Sequence, residues 1–187
     1  MIYLTSDLHF CHDKPFLYEQ RGFENIDNHN KQVVANINSV VTNEDELYIL
    51  GDVIMGDQEE ALSYLKQLNG KKTIILGNHD TNRKIEEYKK LGIECVYAMP
   101  LKYGKYRLML CHYPMKLFPD WSKPIIKSMW CLCGHVHTKN KYEDIEIGSY
   151  HVELDAHNNM PVSIEEVLND LRSYNRLLSI NKLIGGS

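Results

Sequence analysis

Short, mostly apolar segments that stop abruptly at a polar residue recur along this 187-residue chain. Each segment is four to six residues long, and Leu, Ile, Tyr and Cys are the commonest residues across the segments. Runs of this length and composition predict β-strands that are covered on both faces. The five clearest runs occupy residues 2–6, 46–50, 73–76, 106–111 and 130–133.

Apolar residues at helical spacing lie between several of these runs and predict helices. Asp57 with Glu60, and Ser163 with Glu166, form capping boxes, which mark helix N-termini. Thr81 predicts the start of another helix in the same way. The apolar positions of the four predicted helices fall within residues 33–41, 61–68, 85–91 and 167–178.

The overall class follows from these elements and from the bulk composition. Residues 141–157 alternate without helical spacing and predict antiparallel strands, so we expect a mixed α/β fold. The length suits a single domain over residues 1–187. A hydrophobic fraction of 43% and a charged fraction of 25% are typical of globular proteins. No segment approaches the roughly 18 consecutive apolar residues of a membrane span, so we expect no membrane association.

Charge and cysteine usage narrow the possible partners. The formal net charge of −4 and a pI near 6.1 give no basic field, so strong binding to duplex nucleic acid is not expected. A nucleotide substrate remains compatible, because bound metal cations supply positive charge locally. The five cysteines lack a disulfide-framework spacing, and residues 1–7 lack the features of a signal peptide. We therefore expect reduced thiols and a cytoplasmic location.

The residues that follow the five apolar runs carry carboxylate, imidazole and amide groups. Open α/β sheets bind ligands beyond the carboxyl ends of their strands, so these groups are expected to converge. A pair of divalent ions about 3.5–4 Å apart needs a bridging carboxylate and several nitrogen or oxygen ligands. Each residue alone would be read as a turn or structural residue, but together they predict a dinuclear metal site. The seven candidate ligands are Asp7, His9, Asp52, Asn78, His112, His135 and His137.

The same positions carry a family resemblance that spans residues 7–137. They resemble, in this order, the signature of the calcineurin-like metallophosphoesterase superfamily: Asp7-x-His9, Gly51-Asp52, Gly77-Asn78-His79-Asp80, His112 and Gly134-His135-x-His137. The segments 6–12, 68–71 and 155–163 further resemble a small, capless bacterial and phage-type branch. The resemblance implies a four-layer α/β/β/α sandwich with two mixed β-sheets and a dinuclear site at one rim of the sheets.

The resemblance also implies a role for each residue. It implies phosphate ester hydrolysis by in-line attack of a metal-bridging hydroxide, with Asp52 as the bridging ligand. His79 would lie beside the leaving oxygen as a proton donor or charge stabiliser, and Asp80 would orient its imidazole and raise its pKa. The implied ligands of the first ion are Asp7, His9 and His137, and those of the second are Asn78, His112 and His135. Two divalent cations are expected, with Mn²⁺ preferred and Fe, Zn²⁺, Co²⁺ or Ni²⁺ as alternatives.

We therefore predict a metal-dependent phosphoric ester hydrolase, most specifically a phosphodiesterase of small soluble or nucleotide substrates. The absence of a cap insertion favours diesters, because it indicates an open site. A phosphomonoesterase and a nuclease of the same fold are the alternatives within the enzyme class. A catalytically silent scaffold protein is a further alternative, which the complete set of ligands disfavours. Phosphoprotein hydrolysis is not expected, because residues 54–56 and Asp80 stand where protein Ser/Thr phosphatases carry Arg and Glu.

A few other residues each allow a functional and a purely structural interpretation. His12 either contacts substrate phosphate or is a loop residue without a role. Arg21 either clamps a phosphate oxygen or, as we favour, is an exposed surface arginine. Cys131 and Cys133 face one side of a strand and are expected in the core rather than in a zinc site. Asp155 lies on the polar face of a predicted strand, which is usually solvated, and the resemblance makes it a candidate for bracing the site.

Overall fold

The computed structural model describes residues 1–115, 129–142 and 148–184, with side chains up to residue 174 in the last range. In these ranges the helices are α1 Pro15–Tyr18, α2 Ile26–Val40, α3 Gln58–Gln67, α4 Asn82–Lys90 and α5 Ile164–Ile184. The strands are β1 Ile2–Thr5, β2 Glu46–Ile49, β3 Lys71–Ile75, β4 Glu94–Val96, β5 Ala98–Tyr103, β6 Tyr106–Cys111, β7 Met129–Cys133, β8 Ser149–His151 and β9 Val162–Ser163.

The first sheet has the strand order β4-β3-β2-β1-β9. Strands β1 to β4 run parallel, and β9 pairs antiparallel with β1. The register aligns Thr5 with Ile49 and Ile49 with Ile74. Three of the five runs therefore end at the same level of one sheet edge, as parallel strands require.

The second sheet has the strand order β5-β6-β7-β8. Strands β6, β7 and β8 run parallel, and β5 forms an antiparallel hairpin with β6. Leu110 on β6 is paired with Leu132 on β7. The residues that follow these two strands thus leave the second sheet side by side.

Two apolar cores hold these layers together. One core joins the first sheet to helices α2, α3 and α4, through residues such as Ile37, Leu65 and Tyr88. The other lies between the two sheets and includes Leu4 and Leu132 together with apolar residues of α5. An α/β fold with two mixed sheets is confirmed, whereas the assignment of one domain to residues 1–187 stays a prediction.

The predicted helix starts are mostly confirmed. Asp57 accepts a hydrogen bond from the Glu60 amide (2.9 Å), and Ser163 and Glu166 bond reciprocally (3.0 and 3.2 Å). Helix α4 follows Thr81 as expected, but the Thr81 side chain makes no capping hydrogen bond. In the described ranges, no helix combines the length and apolar character that a bilayer crossing requires. The five cysteines are free thiols, and Cys131 and Cys133 are buried as predicted.

The segment 141–157, predicted to form antiparallel strands, includes residues 143–147, which lie outside the described residues. Within residues 148–157, no strand pairs antiparallel with another described strand. Strand β8 runs parallel to β7, and Leu154–His157 forms a 3-10 turn. Tyr150, Val152 and Leu154 all point into the cores. His151 and Glu153, which alternate with them, are buried as well, so the alternation reports neither burial nor the direction of the neighbouring strand.

Candidate metal centre

The loops after β1, β2, β3, β6 and β7 meet at one rim of the two sheets and carry the predicted ligands. Backbone hydrogen bonds tie these loops together. The Asp7 amide donates to Gly51 O (3.1 Å), and the His9 amide donates to Asp52 O (2.9 Å). The Gly134 amide donates to His112 O (3.0 Å). The structure thus brings the seven predicted ligands together.

Five of the seven predicted ligands lie in left-handed backbone conformations. Outside glycine, a positive φ is uncommon and costs about 1–2 kcal/mol per residue. Such strain persists where the surrounding structure enforces it, and it clusters at functional sites. The five φ values are 57° for Asp7, 48° for His9, 54° for Asp52, 81° for His135 and 53° for His137.

Two glycines permit the close packing of these loops. A Cβ atom at Gly134 would collide with the Ser6 hydroxyl and the Asp7 carboxylate, and one at Gly77 would collide with the Asp52 carboxylate. A glycine is therefore required at both positions for the carboxylates to approach the neighbouring backbone.

The first ligand group consists of Asp7, His9 and His137. Asp7 Oδ2 accepts hydrogen bonds from the Ser6 hydroxyl and from the His135 amide (2.9 Å). Asp7 Oδ1 is buried and has no hydrogen-bond partner among the described residues, and it lies 3.8 Å from His9 Nε2 and 3.6 Å from His137 Nε2. The two Nε2 atoms are 3.1 Å apart. Three ligand atoms thus face one small volume.

The second ligand group consists of Asp52, His112 and His135, with Asn78 beside them. His112 Nδ1 donates to Leu50 O (2.7 Å), which fixes the tautomer and leaves Nε2 with a lone pair. His112 Nε2 lies 3.1 Å from Asn78 Oδ1 and 3.2 Å from His135 Nδ1. Asp52 Oδ2 lies 3.6 Å from His112 Nε2.

These spacings fit metal ions. Two ligand atoms that each lie about 2.0–2.2 Å from one ion are separated by roughly 3.0–3.5 Å at ordinary coordination angles. Six separations within the two groups are 3.1–3.8 Å, close to this range. A cation would also give Asp7 Oδ1 the partner that it lacks among the described residues. Burial lowers the pKa of His9 and keeps its imidazole neutral, as metal binding requires. Burial raises the pKa of Asp7 to about 6, a cost that a bound cation would offset.

His79 lies at the mouth of the site, and 43% of its side chain is exposed. Its Nε2 atom lies 3.9 Å from Asp52 Oδ2, and its ring centroid lies 5.7 Å from that of His9. The Lys84 ammonium donates to His79 O (2.8 Å), so the backbone at this position is held in place. Sequence reasoning did not identify Lys84, because a lysine in a helical pattern is usually solvated.

Asp80 has a different arrangement from the one expected. Its carboxylate accepts hydrogen bonds from the amides of Asp52 and Gly77 (both 2.9 Å) and from the Tyr88 hydroxyl (2.9 Å). Among the described residues, no hydrogen bond joins this carboxylate to the His79 imidazole. Asp80 therefore fixes the loops that carry the ligands, and it does not orient the imidazole.

Arg21 is neither exposed nor free to contact substrate, so both interpretations of it need correction. Its side chain is fully buried and forms a bidentate pair with Asp155 (3.1 and 2.7 Å). It also donates to Asp7 O (2.9 Å) and lies 3.0 Å from His29 Nε2. Asp155 balances the buried charge of Arg21. The pattern of apolar positions in the sequence does not reveal this pair.

Asp155 connects Arg21 to the first ligand group. Asp155 Oδ2 lies 3.1 Å from His137 Nδ1, so the carboxylate holds the ring with Nε2 facing the site. Burial raises the pKa of Asp155, but hydrogen bonds from His137 and Arg21 outweigh it and hold the pKa below its usual range. The solvated-face interpretation of Asp155 is wrong, because the carboxylate is buried within the site.

His12 is half-buried beside the first ligand group. Its ring centroid lies 5.2 Å from that of His9, and burial lowers its pKa. Within the part of the chain that the structure describes, its Nδ1 atom makes no hydrogen bond. A contact between His12 and substrate phosphate stays a prediction.

Comparisons with known proteins agree with this fold. The family model described as calcineurin-like phosphoesterase matches residues 1–180. An uncharacterized protein of Methanocaldococcus jannaschii is 31% identical in an alignment of 188 positions that covers 97% of each chain. A solved protein of unknown function from Aquifex aeolicus superposes with a TM-score of 0.69 at 25% identity and covers 90% of this chain and 98% of its own. A structurally characterised archaeal phosphodiesterase shares the fold, with a TM-score of 0.50 at 14% identity and coverage of 81% and 82%.

Fold, site and comparisons together define a phosphoester hydrolase at the level of the family. The chain belongs to the calcineurin-like phosphoesterase family, which is metal-dependent.

Proposed function

We propose that this chain is a phosphodiesterase that uses two divalent cations and acts on small soluble or nucleotide diesters. One observation carries the proposal: Asp52 Oδ2 lies 3.8 Å from His9 Nε2 and 3.6 Å from His112 Nε2. A single carboxylate oxygen thus faces both ligand groups, which is the position of a bridging ligand between two ions. In this proposal the first ion is held by Asp7, His9 and His137, and the second by Asn78, His112 and His135.

The site offers imidazole, carboxylate and amide groups without thiolate, a set that suits Mn²⁺, Fe, Co²⁺ or Zn²⁺, and Mn²⁺ is the ion proposed here. Bound divalent cations lower the pKa of coordinated water and neutralise charge on phosphoryl oxygens. The chain contributes the positions of the donors. Strand ends of two sheets and five strained backbone conformations hold these groups before any substrate arrives.

His79 is the residue proposed to act on the leaving oxygen. Its partly exposed imidazole stands beside Asp52 and is not needed to complete either ligand group. A protonated imidazole at this position donates its proton to the oxygen that departs from phosphorus, or stabilises its negative charge. Lys84 holds the backbone of this residue, so the ring is presented in a fixed place.

Two features support a small diester as the substrate. Asn78 is exposed and His135 is partly exposed, so the described part of the site is open to solvent. The net charge of −4 provides no field that attracts a long polyanion, which disfavours a nuclease acting on duplex DNA. A phosphomonoesterase remains the nearest alternative, since the ligand groups serve both ester classes.

The test is hydrolysis of bis-p-nitrophenyl phosphate and p-nitrophenyl phosphate by metal-stripped protein, side by side. Each ester is assayed with Mn²⁺, Zn²⁺, Mg²⁺ or no added metal. We expect metal-dependent turnover that favours the diester and is highest with Mn²⁺. Preference for the monoester would replace the phosphodiesterase by a phosphatase. Absence of turnover with every metal, despite bound ions, would favour a scaffold protein.

A further inference from the structure

A cavity of about 190 Å³ opens beside the first ligand group. Its lining residues are Phe16, Leu17, Gln20, His137 and Asp155. His137 also belongs to the first ligand group, so the cavity and the candidate metal centre share a wall. The cavity is therefore adjacent to the candidate metal centre.

The position of Phe16 on this wall is not explained by folding. Helix α1 is anchored to the protein by Leu17 and Tyr18, which are 5% and 8% exposed. Phe16 on the same helix is 63% exposed. Its ring meets the His12 ring edge-on with centroids 6.0 Å apart, and the His12 ring lies 5.2 Å from the His9 ring. A row of rings thus leads from the cavity to the ligand group.

The cavity wall combines apolar surface with one exposed polar group. Phe16 and Leu17 supply apolar surface, and the exposed Gln20 carboxamide can both donate and accept hydrogen bonds. The Asp155 carboxylate is engaged by Arg21 at 2.7 Å, so the cavity presents no unpaired negative charge from this residue. Such a wall suits a flat, uncharged ring with polar atoms at its edge.

The volume limits the size of that ring. An apolar cavity of roughly 150 Å³ holds one benzene molecule. About 190 Å³ therefore takes one six-membered ring with small substituents. We infer that this cavity is a subsite for a single planar ring carried by the phosphoester, of the size of a phenyl or pyrimidine group. The inference rests on the proposed function, since it concerns the ester that the metal centre would bind.

The subsite is tested with two phosphonates, whose carbon–phosphorus bonds the enzyme cannot hydrolyse. Binding of phenylphosphonate and methylphosphonate to the Mn²⁺-loaded protein is measured by calorimetry. Contact of a ring with an aromatic side chain is expected to make phenylphosphonate bind about tenfold more tightly than methylphosphonate. The Phe16→Ala variant should bind the two ligands with nearly equal affinity, because only the ring contact is lost.

Leu91→Ala serves as the matched control. Leu91 is 37% exposed and follows the last residue of α4, so the variant removes a surface apolar side chain elsewhere. It should keep the tenfold preference of the wild type. A wild-type ratio near one, or a Phe16→Ala ratio equal to that of the wild type, would overturn the subsite. Failure of the proposed function would show separately, as absence of bis-p-nitrophenyl phosphate turnover in wild-type protein with any metal.

Discussion

Each carboxylate in the ligand groups divides its two oxygen atoms between the protein and the site. Asp7 Oδ2 accepts the His135 amide, and Asp52 Oδ1 accepts the His79 amide, each at 2.9 Å. The other oxygen of each residue faces the ligand groups. Because the protein bond fixes the rotamer, the second oxygen is already placed for a cation, and little side-chain entropy remains to be lost on binding.

Asp155 is also held in place by the protein: it bonds to Arg21 on one side and holds the His137 ring on the other. We expect Asp155→Asn to weaken Mn²⁺ binding by about 10- to 100-fold, the usual effect of losing a partner behind a ligating imidazole. Calorimetric titration of metal-stripped protein with Mn²⁺ measures this affinity. Asp27→Asn is the control, since it removes a carboxylate from the exposed pair with Lys31. Equal Mn²⁺ affinity in Asp155→Asn and wild type would contradict the positioning role.

His29 lies behind Arg21 and gives the metal-free protein a pH-dependent stability. Burial, and then the Arg21 guanidinium, lower the pKa of His29 to about 4 from an ordinary value of 6.5. The unfolded chain therefore binds a proton in this window that the folded protein does not. The free energy of unfolding should fall by up to about 3 kcal/mol as the pH drops from 6.5 to 4, and be unaffected by this group above 6.5.

Urea unfolding of metal-stripped protein at a series of pH values measures that dependence. The His29→Gln variant keeps an acceptor for Arg21 but cannot be protonated, so its stability should vary less between pH 6.5 and 4. An identical pH dependence in the variant and the wild type would show that other groups cause the loss.

At the scale of elements, the loops after the strands determine the site more than the strands do. The apolar runs identified five of the nine described strands, and the residues after these five include all seven candidate ligands. The sequence did not show that five of these ligands adopt a positive φ, because Asp and His tolerate the left-handed region without requiring it. It also did not show the direction of β8 or the burial of Arg21, since both depend on partners distant in the chain.

The strained backbone at His9 predicts an order of stability among substitutions. At a φ of 48°, His9→Gly should be about 1 kcal/mol more stable than His9→Ala in metal-stripped protein, because glycine adopts this conformation without strain. His12 is not among the positive-φ residues, so His12→Gly should be less stable than His12→Ala. Urea unfolding measures all four variants. If His9→Ala is as stable as His9→Gly, the backbone at position 9 is not strained.

At the scale of the whole molecule, the site joins the two sheets. Asp7, His9, Asp52 and Asn78 follow strands of the first sheet, whereas His112, His135 and His137 follow strands of the second. Each ligand group contains residues from both sheets. A cation in either group would therefore add a link between two layers that otherwise meet through apolar contacts and hydrogen bonds such as that from His112 Nδ1 to Leu50 O. The family signature predicted this convergence correctly.

Metal removal should lower the free energy of unfolding, because a cation that binds only the folded chain stabilises it. Mn²⁺ at 100 times its dissociation constant adds about 2.7 kcal/mol to the free energy of unfolding, or roughly 5–10 °C in Tm for a chain of this size. Thermal unfolding with Mn²⁺ and with a chelator measures the shift. His79→Ala should keep it, because no proposed ligand is lost, and Asp52→Ala should lose most of it. A Tm shift in Asp52→Ala as large as in wild type would contradict the bridging position.

The most direct test of the central claim is turnover of bis-p-nitrophenyl phosphate during stepwise addition of Mn²⁺ to metal-stripped protein. Bound Mn²⁺ is counted in the same samples, for wild type and His79→Ala. We expect both proteins to bind two ions per chain, with wild-type turnover reaching its plateau as the second ion binds. His79→Ala should lose about 10²- to 10⁴-fold in kcat. Wild-type protein that binds two ions and hydrolyses nothing would contradict the account, as would full turnover with a single ion.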